Sequence, residues 1–323
     1  MKFIAKPVQI EEKINEWKAL GCGYIKFDSI DTFSGYKVHA LIFTNNPNEN
    51  SKPAIYFSQP HAHEPATTAG MVDVIEQLAT GRDLMGNKTR LDAEEILSEL
   101  TVIFCPAGNP YGLDRAPVLY WDGTWCSNDK FWTIMFGEDP ENPGKMWNRQ
   151  GQWDIREVKA PNPIGIVYEP VDQYTYVEPN RSQLSSYFKM FHRLNAEYGI
   201  KYWAELHQTE FVDSEYNNMV IMPSSNYTPE NMNAVNRQWA DAVTEAWKNI
   251  GFNPCEPVGF CYDGQQAEYF RQNYSEINKK IYKLTSEVKN NGKDFTPEMQ
   301  LQANVTAIIS SIDWALSRKN DKL

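Results

Sequence analysis

Short apolar runs alternating with helical patterns set the strongest limit on what this chain can fold into. The stretches YIKF (24–27), VHALIF (38–43), AIYFS (54–58) and TVIFCP (101–106) read as strands. Between the last two, GMVDVIEQLA (70–79) places Met71, Val74, Ile75 and Leu78 on one helical face. Two later helices announce their starts: Thr228-Pro229 and Thr296-Pro297 each pair an N-cap threonine with a proline at the first helical position. After them, Val235, Trp239, Ala242, Val243 and Ala246 form one apolar stripe, and Leu301, Val305, Ile308, Ile309 and Ile312 another. Strands alternating with helices predict an α/β chain with one mixed, largely parallel twisted sheet and helices on both faces. The 323 residues suit a single catalytic-size domain of this kind over 1–323.

Residues 113–178 break the pattern. They show little periodicity, carry the turn-rich GEDPENPGK, and hold Tyr120, Trp121, Trp125, Phe131, Trp132, Phe136, Trp147 and Trp153. A loop this long inside a compact chain is expected to be functional, and the aromatics favour an ordered one. A packed subdomain serving stability alone is an equal alternative.

Composition excludes several classes. Lys and Arg number 31 against 42 Asp and Glu, a formal charge of −11, which argues against a nucleic-acid partner. No apolar run approaches the length of a membrane span and the N-terminal text lacks a signal-peptide core, so the expectation is a cytoplasmic chain without membrane contact. The five cysteines (22, 105, 126, 255 and 261) are odd in number and irregularly spaced, and are expected to be free thiols. Oligomeric state is not written in the sequence.

The densest chemistry is QPHAHEPATTAG (59–70), with two of the five histidines. A strand running into a turn allows His61 and Glu64 to converge on one ion, whereas His63 and Glu64 are adjacent and would diverge if extended. Catalytic zinc uses three protein ligands plus water. His207, at the end of the strand-like KYWAELHQTEF, is the candidate third, since sites of open α/β sheets assemble at the carboxyl ends of strands. His39, inside YKVHALIF, and His192, on the helix SQLSSYFKMFHRLNAEYG, are expected to be ordinary packed histidines.

In this order the motifs resemble the zinc metallocarboxypeptidases of the carboxypeptidase A type, from about residue 24 to the end. YIKFDSIDTFSGYKVHALIFTN resembles the family's opening hairpin, HAHE its HxxE, and CPAGNPYGLDRA its strand with NPDG. YVEPNRSQLSSYFKMF is similar to the EPET helix before the strand of the third ligand, and IYKLTSEVKNNG to the strand with the catalytic glutamate. The resemblance implies one zinc ion on His61, Glu64 and His207, with Glu287 as general base. Glu287 also suits the chemistry alone, because a non-ligating carboxylate can take a proton from the attacking water and deliver it to the leaving amine. Glu256 and Glu268 are rivals.

The family also carries an Asn-Arg pair for the substrate's terminal carboxylate. The nearest text is RQGQWDIREV, where the asparagine is absent and Arg156 is the candidate, its guanidinium suited to fork a carboxylate. Arg149 and Arg115 are candidates for stabilising the oxyanion, and Tyr262 is a soft match for the tyrosine that closes over substrate. His63 is expected to line the cleft without binding metal. The leading reading is a zinc-dependent hydrolase acting on peptides. The alternatives are a deacylase of N-acyl amino acids and a non-catalytic module binding sugar or peptide on the 113–178 aromatics.

Overall fold

The computed structural model describes residues 2–45, 52–210, 213–260 and 262–318. Helix α1 (Pro7–Ala19) leads into a hairpin of β1 (Ile25–Asp31) and β2 (Lys37–Phe43). Next come β3 (Ala54–Ser58), α2 (Pro65–Thr80), α3 (Ala93–Glu99) and β4 (Thr101–Cys105). The aromatic-rich stretch contributes the end of α4 (Pro110–Arg115), then α5 (Asn128–Phe136), β5 (Gln152–Asp154), β6 (Glu169–Pro170) and β7 (Thr175–Val177). Then follow α6 (Ser186–Tyr198), β8 (Ile200–Thr209), β9 (Asn218–Ile221), α7 (Glu230–Asn249), α8 (Gly264–Tyr274), β10 (Tyr282–Lys289) and α9 (Pro297–Ser317).

Seven strands form one sheet in the order β1-β2-β4-β3-β8-β10-β9. The four central strands are mutually parallel, and the pairings β1–β2, β2–β4 and β9–β10 are antiparallel. The sheet is therefore mixed with a parallel centre, as the alternation of elements predicts. Side chains alternate between its faces. Ile55, Phe57, Val102, Phe104, Tyr202, Ala204, Leu206 and Leu284 join the core shared with α2, α7 and α9. Tyr56, Ile103, Cys105 and Trp203 pack on the other face with Tyr187, Phe188 and Phe191 of α6 and Tyr274 of α8. The odd-numbered residues of β8 and β10 look toward this second face, which fixes where chemistry can sit.

Helix starts follow local chemistry. Thr296 caps α9 through its hydroxyl, which accepts from Met299 N, with Pro297 at the first helical position. At α7 the frame differs by one residue: Pro229 itself occupies the extended N-cap position and the helix starts at Glu230. The buried stripe of α7 is Met232, Asn236, Trp239, Ala240, Val243, Thr244 and Trp247, rotated slightly from the expected one. Helices α2 and α9 approach closely at Gly70, where an added Cβ would lie 2.7 Å from Asn304 Cβ.

The 113–178 region is ordered and packed. Strands β5, β7 and β6 form a small antiparallel sheet. Trp153 is 4% exposed and stacks on Tyr176 with ring centres 4.8 Å apart. Trp121, Trp147 and Phe131 are also buried, whereas Trp125 is half-exposed and meets Trp121 edge-on. Gly112 of α4 lets this region dock, since a Cβ there would stand 2.0 Å from Ile166 O. Cys22, Cys105, Cys126 and Cys255 are free thiols, and Cys261 lies outside the described residues. No helix among the described residues is long and apolar enough to cross a membrane.

Candidate active site

Three strand ends and one helix start converge. His61 follows β3, and Glu64 occupies the N-cap position of α2 with Pro65 behind it. His207 lies on β8, two residues before the strand ends at Thr209. His61 Nδ1 is 2.9 Å from Glu64 Oε1, and His207 Nδ1 is 3.2 Å from both His61 Nδ1 and Glu64 Oε1. Ligands of a tetrahedral zinc at about 2.0–2.1 Å are separated from one another by about 3.3 Å, so the three donors are spaced as an ion requires. All three residues are buried, and Glu64 Oε2 has no hydrogen-bond partner among the described residues. His61, Glu64 and His207 form a group whose donor atoms lie within 4.8 Å of one another. The donor set, two imidazoles and a carboxylate, is one that zinc accepts.

Each imidazole is held from behind by a carboxylate. His61 Nε2 lies 3.2 Å from Glu178 Oε1 and 2.9 Å from Asn180 Oδ1. His207 Nε2 lies 2.9 Å from Glu205 Oε1. Such partners fix the tautomer, leaving Nδ1 of both rings turned toward the ligand cluster. Glu178 in turn receives Arg149, whose Nε donates at 3.0 Å to Oε2 and whose Nη2 donates to Oε1. Burial opposes ionisation of Glu178, but Arg149 and Arg181 hold its carboxyl well below the usual range. Burial likewise works against Glu205, and Lys283 and His207 outweigh it to keep the carboxyl depressed.

Glu287 reaches the same place through strand register. β10 runs parallel to β8 with Glu287 directly opposite His207. Its carboxyl is buried and Oε2 has no hydrogen-bond partner among the described residues. Burial, with Glu64 and Glu210 nearby, pushes its pKa up to about 8 against the pull of His207 and His61. Glu256 and Glu268 are exposed and paired with Lys248 and Arg271, so neither rivals it.

A cavity of about 240 Å3 opens over this cluster, walled by Arg149, Asn180, Arg181, Glu205, Tyr262 and Lys283 among others. His63 also lines it, stacked on His61 at 5.0 Å. Burial lowers the His63 pKa to about 4, so the ring is neutral.

A family model described as zinc carboxypeptidase matches residues 24–307. The chain belongs to the zinc carboxypeptidase family. It is thus a zinc metallopeptidase by family, and its site brings together a His-Glu-His group that could hold a metal ion. The fold is similar to that of a metallo-carboxypeptidase from Burkholderia cenocepacia, at 12% identity over 95% of this chain and 69% of that one, with a TM-score of 0.59. Carboxypeptidase A from Helicoverpa armigera shares 12% identity over 97% of this chain and 74% of its own, with a TM-score of 0.58. Bovine thrombin-activatable fibrinolysis inhibitor, solved with tick carboxypeptidase inhibitor, shares 13% identity over 98% of this chain and 97% of its own, with a TM-score of 0.57. At these identities the likeness concerns the fold. Comparison with curated protein sequences finds no match.

Against the zinc carboxypeptidase pattern, two arginines stand elsewhere than the sequence suggests. Arg156 is exposed, bonded to Asp154 beside it and laid over the Tyr174 ring. It is absent from the cavity because β5 ends at Asp154 and turns it to solvent. Arg115 donates to Ile164 O and covers Tyr111, tying α4 to the aromatic region rather than facing the cleft. The Asn-Arg dipeptide that lines the cavity is Asn180-Arg181, in a 3-10 turn (Pro179–Arg181). It stands within the EPNR text read from sequence as a helix lead-in, and since Asn-Arg also occurs at 148–149 and 236–237, the dipeptide alone does not single it out. Glu178, Glu205 and Lys283 were also missed.

Proposed function

We propose that the chain is a zinc-dependent carboxypeptidase that binds one ion on His61, Glu64 and His207 and removes the C-terminal residue of peptides. The observation that carries this reading is the register of β8 and β10, which sets Glu287 beside His207 at the ligand cluster. When bound, zinc supplies a Lewis acid and lowers the pKa of water. Glu287 accepts the proton of the attacking water at its unpaired Oε2 and returns it to the leaving amine. Arg149, anchored by Glu178, stabilises the charge that develops on the carbonyl oxygen. Asn180 and Arg181 bind the terminal carboxylate, the task that the sequence suggested for Arg156. Tyr262 forms a cleft wall against which substrate rests.

The test uses zinc-loaded protein with peptides bearing a free or an amidated C-terminus, and N-acyl amino acids for comparison. The expected result is release of the terminal residue from free-acid peptides, a loss of about a hundredfold or more on amidation, and abolition by chelation with recovery on adding zinc. Undiminished hydrolysis by metal-free protein, or equal cleavage of amidated peptides, would sink the reading.

A further inference from the structure

The floor of the cleft descends along β8 and β10. These strands run in register, with Glu287 opposite His207, Thr285 opposite Glu205 and Lys283 opposite Trp203. Alternate residues of a strand share a face at a spacing of about 6.6 Å. Glu205 and Thr285 therefore lie one step below the metal-ligand level and Lys283 two steps below. All three line the same cavity, together with Tyr274 and Asn278. The Asn180 side chain stands directly above this end, its Nδ2 donating to Glu205 Oε1 at 3.0 Å.

The hydrogen-bonding capacity of these groups decides what can rest on them. Glu205 is fully subscribed: Oε1 accepts from His207 Nε2 and Asn180 Nδ2, and Oε2 accepts from Tyr274 Oη and Lys283 Nζ, both at 2.9 Å. Lys283 spends two of its three N–H groups, on Glu205 and on Thr285 Oγ1 at 3.1 Å, while its ammonium lies 4.8 Å from the Tyr274 ring centre. Asn278 is 3% exposed, and its Oδ1 has no partner among the described residues. The deep end thus offers one remaining cationic N–H and one primary carboxamide, but no unused carboxylate.

A basic side chain would bring a second cation against Lys283. An aliphatic or aromatic one would dehydrate the lysine and Asn278 while pairing neither. A carboxamide accepts from Lys283 and donates to Asn278 Oδ1, and a carboxylate accepts from Lys283 and from the Asn278 amide turned over. We infer that this end of the cleft takes the side chain of the substrate's C-terminal residue and selects one ending in a carboxamide or carboxylate, with Lys283 and Asn278 as the specificity-determining residues. The inference rests on the carboxypeptidase reading above and adds the substrate class.

The experiment measures kcat/KM of zinc-loaded protein on N-acetyl-Ala-Ala-X peptides, with X as Gln, Glu, Leu, Phe or Lys. Gln and Glu are expected to exceed the other three by about tenfold or more. Asn278→Leu is expected to narrow the Gln-to-Leu ratio by about tenfold, chiefly through KM. Because Lys283→Met alone strands a buried carboxylate, Lys283→Met/Glu205→Gln removes both charges and is expected to narrow the ratio equally. A preference for Leu, Phe or Lys, or ratios untouched by these variants, overturns the inference while leaving a carboxypeptidase. Release of no terminal residue from any peptide by zinc-loaded protein overturns the carboxypeptidase reading itself, and the inference with it.

Discussion

His61 and His63 are both buried and both touch Glu64, yet their second nitrogens tell them apart. His61 Nε2 meets Glu178, which turns Nδ1 toward the ligand cluster, whereas His63 Nδ1 has no hydrogen-bond partner among the described residues. Chelator competition is therefore expected to show zinc affinity falling by more than about a hundredfold in His61→Ala and little changed in His63→Ala. Glu287→Gln is expected to keep zinc while kcat falls by about 10²- to 10⁴-fold, read by metal analysis beside peptide turnover. Much of this site could be read in the sequence, because HxxE after a strand and a histidine ending another strand are local patterns. Glu205 and Lys283 could not, since charges within YWAEL and IYKLT look like the solvent side of a strand until the partner strand is known. Asn180-Arg181 escaped for a related reason: a 3-10 turn has no periodicity, and position along the chain favoured Arg156.

Among the elements, the central strands and long helices were legible because each buries enough side chains to show its period. Strands β5, β6 and β7, of three, two and three residues, are too short to show one. They are held by aromatic packing such as Trp153 on Tyr176, which only the folded region reveals. The small sheet carries its own pH dependence. Glu169 of β6 is buried and accepts from Ser186 N at 2.7 Å, and burial raises its pKa to about 7. An acid with a raised folded pKa contributes stability that is full below its unfolded value and lost as pH rises through the folded one. Between about pH 4.5 and 7 the native state thus binds the extra proton, and stability falls as pH rises. Glu169→Gln is expected to flatten that slope and to leave the variant more stable than wild type at pH 8, by about 1–3 kcal/mol, measured by urea denaturation at pH 5 and 8.

For the whole molecule, the ligand cluster joins the β3–α2 connection to β8, so an ion held there braces the centre of the sheet. Zinc at a thousandfold excess over its dissociation constant is expected to add about 4 kcal/mol. Thermal unfolding with and without chelator would show this as a rise of several degrees, and an unchanged transition would exclude His61, Glu64 and His207 as a tight site. The carboxylates behind the imidazoles have a further consequence. Around the cavity Glu64, Glu178, Glu205, Glu210 and Glu287 outnumber Arg149, Arg181 and Lys283, and the site meets that excess by holding protons: the pKa of His207 is raised to about 10, that of Glu287 to about 8 and that of Glu210 to about 7. A divalent ion takes over from those protons. Metal capture is therefore an exchange of ion for protons, and zinc affinity should rise with pH across the neutral range. Calorimetric titration of zinc into metal-free protein, in buffers of different ionisation enthalpy, is expected to register proton release, and equal heats in all buffers would rule the exchange out.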